Sequence, residues 1–175
     1  MPDALTMTKV AAATLDIRID WTLLLAGDTI ASVSWSVSGV TAGAASNTTT
    51  TTTQRISAGS AGTAATAECT VTTAAGYVYV RTVEIDVVAS IVACEIDKAP
   101  GETISVPAPT WSDLGTDTIS AYAWTVPSGL SGSSTASTIA LSSGTTGQDY
   151  ALVCQITTTA GQIDQRVHRI NVRRR

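Results

Sequence analysis

Side chains able to do covalent or acid–base chemistry are few in this chain and do not converge in the sequence. His168 is the only histidine, and no Ser or Cys is placed recognisably beside it, so no nucleophile–base pair stands out. It falls where an earlier related segment has Val83 and reads as a partly exposed strand residue. The three cysteines, Cys69, Cys94 and Cys154, are an odd number for a disulfide framework and lack the paired spacing of a zinc site. Cys69 and Cys154 read as buried thiols serving as small hydrophobes, while Cys94 lies at a junction. Asp28 and Asp117 each precede a Thr at the start of a strand, where a carboxylate caps the turn backbone. Gly59/Gly62 and Gly144/Gly147 read as turn glycines, because no helix follows them to form a phosphate cradle. No Asp-x-Asp-x-Asp calcium loop is present. The expectation is a chain without catalytic residues, cofactor or metal, working by binding and assembly.

The elements that hold these residues must be strands. Thr, Ser, Ala and Gly dominate, charged residues make up only 14%, and there is no Phe, so four Trp and four Tyr must carry much of the packing. The net charge of -4 argues against a nucleic-acid partner, which would call for a basic face. The one basic cluster, Arg173, Arg174 and Arg175, reads either as a solubilising tail or as a contact for an acidic partner. No segment approaches the roughly 20 apolar residues of a bilayer span, so no membrane partner is expected. Met1 to Val10 lacks a secretory leader pattern, and the unpaired cysteines fit a reducing compartment.

An internal repeat organises the chain. Asp28-Thr-Ile30 and Ser34-Trp35-Ser36-Val37 answer to Asp117-Thr-Ile119 and Ala123-Trp124-Thr125-Val126. Cys69-Thr-Val71, Ala75-Gly76 and Arg81 answer to Cys154-Gln-Ile156, Ala160-Gly161 and Arg166, and Trp21 answers to Trp111. The spacing falls from about 89 to about 85 across the threonine-rich stretch of the first copy, so the length difference is confined to one loop. Leu15, Ile17, Ile19 and Trp21 alternate with polar residues, as do Val33, Trp35 and Val37, which is the period of a half-buried strand. Short strands separated by turn signals, with no capped helical run, predict an all-β chain of two tandem immunoglobulin-like β-sandwich domains, residues 1–89 and 90–175. Trp21, Trp35, Cys69, Trp111, Trp124 and Cys154 are expected in the two cores. Thr48, Thr49, Thr50, Thr51, Thr52 and Thr53 read either as a polar edge strand able to dock another chain or as a flexible loop. Tyr77 and Tyr79, near a hairpin tip, join them and the Arg173–Arg175 cluster as candidate protein contacts.

The second copy carries Trp111, Asp117-Thr-Ile-Ser120, Trp124-Thr-Val-Pro-Ser-Gly-Leu130, Leu141, Gly144, Gly147 and Tyr150. It continues with Ile156-Thr-Thr158, Ala160-Gly161, Asp164, Arg166, Ile170 and Val172. In this ordered set it resembles the immunoglobulin-like module of tailed-bacteriophage virion structural proteins; the first copy is a degenerate version without the Pro and Tyr positions. The resemblance implies a virion protein assembled in the bacterial cytoplasm, foremost a capsid decoration or cement protein that binds and stabilises the head. The alternatives are a head–tail, neck or tail appendage protein, or a carbohydrate-binding adhesion module for the host surface. Expected partners are the major capsid protein or other virion proteins, in a homo-oligomer or symmetric array.

Overall fold

A computed structural model describes residues 5–111, 114 and 116–174. The chain divides into two compact units, Met1–Ala89 and Ser90–Arg175. In the first, the strands are β1 (Leu5–Val10), β2 (Leu15–Asp20), β3 (Ile30–Ser38), β4 (Thr41–Asn47), β5 (Thr51–Ser57), β6 (Thr63–Thr73) and β7 (Val78–Val88), with one helical turn, α1 (Thr22–Leu25). A four-stranded sheet in the order β1-β7-β6-β3 faces a three-stranded sheet in the order β2-β5-β4. β1 runs parallel to β7, and the other pairings are antiparallel. The second unit repeats this plan. Its strands are β8 (Val92–Lys98), β9 (Ile104–Pro107), β10 (Ile119–Thr125), β11 (Leu130–Thr135), β12 (Thr138–Ser143), β13 (Asp149–Thr158) and β14 (Ile163–Val172). They form sheets in the orders β10-β13-β14-β8 and β11-β12-β9. Two seven-stranded sandwiches of immunoglobulin-like topology follow one another in the chain.

The register repeats as closely as the topology. Trp35 lies opposite Cys69 and Trp124 opposite Cys154. β3 and β10 each break register near their first residues, between Ile30 and Ser32 and between Ile119 and Ala121. Both thiols are fully buried, and burial pushes them up, Cys154 to about 11. Around Cys69 pack Ile17, Ile19, Ile56, Val71 and Ile85, with Trp21 fully enclosed. The second core is built from Val106, Ile139, Leu141, Leu152 and Ile170. Trp35 and Trp124 pack on these cores half-buried, because each sits on a strand at the edge of its sheet. Trp111 is half-buried as well.

Three further devices recur in both copies. Arg81 lies over the ring of Trp21 at 5.4 Å, and Arg166 over Trp111 at 5.3 Å. The Asp28 carboxylate accepts the Thr29 and Ala75 N–H groups, tying the approach to β3 to the β6–β7 hairpin. Asp117 does the same with Thr118 and Ala160. The Thr73 hydroxyl, with the Thr29 N–H behind it, holds Asp28 below the usual carboxylate range. The third device concerns the chain's two lysines, Lys9 and Lys98, both fully buried at the ends of β1 and β8. The Lys9 ammonium donates to the carbonyls of Val10, Ala11 and Ala58, and that of Lys98 to those of Ala99 and Ser143. Ala58 and Ser143 hold φ at +54° and +66°, an unusual left-handed turn ahead of a glycine that aims each carbonyl at the ammonium. A buried cation is tolerable only when acceptors surround it, and this turn supplies one of them to each lysine.

Candidate interaction surfaces

In the first unit, three connections meet at one end of the sandwich. The Trp21 N–H donates to the Thr50 carbonyl, the Ile30 N–H to Thr49, and the Ala74 N–H to Thr29. These bonds fasten the β2–β3 connection, the β4–β5 turn and the β6–β7 hairpin together. Large apolar side chains stand exposed here: Leu23 on α1 (94% exposed), and Tyr77 (64%) and Val78 (60%) at the hairpin, followed by Val80 on β7. The second unit serves as an internal control. At its β13–β14 hairpin, Gln162 and Gln165 occupy the places of Tyr77 and Val80, while Ile163 keeps an apolar residue at the place of Val78, so the fold itself does not ask for apolar residues at the first two positions. Composition marks Tyr77; the leucines of α1 escape sequence reasoning because no helical run is long enough to announce the turn.

The threonine run does not form an edge or a loose loop. Thr48–Thr50 make a turn in which the Thr48 hydroxyl accepts the Thr50 and Thr51 N–H groups. Thr51, Thr52 and Thr53 enter β5, the central strand of its sheet, and Thr51 and Thr52 are buried. Only the turn residues remain as surface candidates. The edge position is taken instead by β4, whose Thr-Ala-Gly-Ala-Ala-Ser-Asn residues are all exposed. Beside it opens a groove of about 390 Å³ lined by Val33, Trp35, Ala45, Ser46, Asn47 and Gln54. Tyr79 is also corrected: it is half-buried against the core in register with Val71, because β7 turns it inward together with Arg81. At the other end of the chain, the Arg173 N–H donates to the Lys98 carbonyl and its guanidinium pairs with Asp149. That residue is therefore fastened rather than frayed. Arg174 is exposed, and Arg175 lies outside the described residues.

His168 also departs from expectation. It is 3% exposed, stacked on Trp124 with ring centroids 6.1 Å apart, and its Nδ1 lies 2.7 Å from the Cys94 thiol. Parallel pairing of β8 with β14 joins these two residues, which are 74 positions apart. No spacing rule in the sequence shows that. Burial lowers the imidazole and raises the thiol, so both rest neutral.

The chain is similar to several solved tandem immunoglobulin structures at low identity. A chimeric titin Z1Z2 carrying an exogenous decorin peptide is 12% identical, covering 99% of this chain and 95% of that one, with a TM-score of 0.39. The N-terminal Ig1-2 module of the Drosophila receptor protein tyrosine phosphatase DLAR is 9% identical, covering 97% and 95%, with a TM-score of 0.37. No curated protein matches the chain by sequence. A family model does match, over residues 9–86 and 98–171, two stretches that begin at the two buried lysines. The chain belongs to the family described as podophage GP4 fiber-tail adaptor protein gp77.

Proposed function

We propose that this chain is a non-enzymatic structural protein of a tailed-phage virion that joins a fibre to the tail. Its membership of the fiber-tail adaptor family carries this reading and favours a tail-associated role over decoration of the head. The contact face is the end of the first unit that presents Leu23, Tyr77, Val78 and Val80 to water. Apolar side chains grouped at one end mark a surface that a partner covers. The partner is another virion protein with a complementary apolar patch. A carbohydrate-binding role has less support, since such a site needs an exposed aromatic platform and Tyr79 is turned inward.

Localisation on purified particles tests the proposal. Electron microscopy with a labelled chain is expected to find it at the tail vertex alone. Labelling spread over the head at lattice copy number would restore the decoration reading, and absence from particles would sink both. A Leu23→Ser, Tyr77→Ser double variant is expected to fold normally and fail to incorporate.

A further inference from the structure

The two copies differ at one pair of positions in a way the fold does not explain. Where β1 meets β7, Leu5 stands opposite Val83; where β8 meets β14, Cys94 stands opposite His168. The first copy shows that this site is satisfied by two aliphatic side chains. The second copy carries a thiol and an imidazole instead, although a buried imidazole costs desolvation and its Nε2 is left without a partner. Cys94 is exposed, whereas Cys69 and Cys154 are buried. We propose that Cys94 and His168 form a thiol–disulfide exchange site, at which the chain takes up a disulfide-bearing molecule covalently and stoichiometrically, a property beyond the adaptor role. The Cys94 sulfur attacks one sulfur of the incoming disulfide, and a new S–S bond forms as the old one breaks. The electron pair leaves with the departing sulfur. His168 Nδ1 takes the thiol proton and returns it to that leaving thiolate, so Cys94 is oxidised and the departing sulfur reduced.

The surroundings suit a base that acts during the reaction rather than a standing ion pair. Facing His168 are Cys94 from β8, Leu152 from β13 and the Trp124 ring from β10, with Cys154 and Arg166 two register positions away on the same strands. Arg169 and Glu95, the next residues along β14 and β8, pair with each other. Burial alone lowers the imidazole, so it is free to accept a proton at neutral pH. The thiol stays protonated until a disulfide arrives.

The test is the rate of reaction of the folded full-length chain with the aromatic disulfide 5,5′-dithiobis(2-nitrobenzoate). An unassisted thiol gains about tenfold in rate per pH unit below its own titration near 8.5. With His168 as base, the rate is expected to be nearly flat between about pH 7 and 8. His168→Val, which installs the residue the first copy already tolerates, is expected to slow the reaction at pH 7 by about tenfold or more and restore the steep slope. Cys94→Leu should abolish labelling and marks the reacting thiol. Equal rates and equal slopes for the parent chain and His168→Val would overturn the proposal, as would labelling that survives Cys94→Leu.

Discussion

Asp117 shows at the scale of one residue how a thinly charged chain fastens its loops. Its carboxylate is held at about 2, against an ordinary 3.8, first by the Thr158 hydroxyl and then by that of Thr159, with the Thr118 and Ala160 N–H groups adding to them. The folded value lies below the unfolded one, so the stabilisation is complete above pH 3.8 and is lost as pH falls through about 2. Asp117→Asn is therefore expected to lower the urea midpoint at neutral pH, and the gap to the parent chain should close as the acid is titrated. A gap of constant size from pH 7 to pH 2 would show that the charge is not what holds the hairpin. The group is exposed, so the sign and the pH window are the measurable content.

Elements show which features can be read from residue types and which depend on pairing. The strands and the repeat are legible because alternation and turn glycines are local properties: Val33, Trp35 and Val37 alternate whatever lies beside them. The place of β5 in its sheet is not local. Six threonines fit an edge, a loop or a central strand equally well, and only the choice of neighbours, β2 on one side and β4 on the other, decides. Cys94 and His168 escaped for the same reason. The lysines escaped differently: both stood in plain view at repeat-related positions, yet an ammonium at a strand end ordinarily reads as solvated. The central position of β5 has an energetic consequence. The Thr52 hydroxyl accepts the indole N–H of the fully buried Trp21 at 3.0 Å. Thr52→Val keeps the shape and the branching but leaves that donor unmet, so it should destabilise the chain by about 1–3 kcal/mol. Thr49→Ala, in the exposed turn, should stay within about 0.5 kcal/mol. Denaturant titration of both variants decides it, and equal effects would place the run on the surface after all.

For the whole molecule, the duplication sets how stability is divided. Each of the four sheets draws its strands from a single unit, and each apolar core does the same. Each unit also has its own buried lysine, which makes a matched pair of probes. Lys9→Met removes the ammonium shared by the carbonyls of Val10, Ala11 and Ala58, while Lys98→Met strips Ala99 and Ser143. These hydrogen bonds are buried or part-buried, so each carbonyl left unmet costs up to about 1–3 kcal/mol, and in a domain of this size one kcal/mol moves Tm by about 4–8 °C. Calorimetry of the full chain is expected to resolve two transitions, with Lys9→Met lowering one and Lys98→Met the other. A single transition lowered equally by both variants would mean that the copies unfold as one body. Separate transitions would leave the first unit free to gain stability from a partner on its apolar end without drawing on the second. That arrangement would suit the adaptor role proposed above, and adding the first unit's partner should then raise only the transition that Lys9→Met lowers.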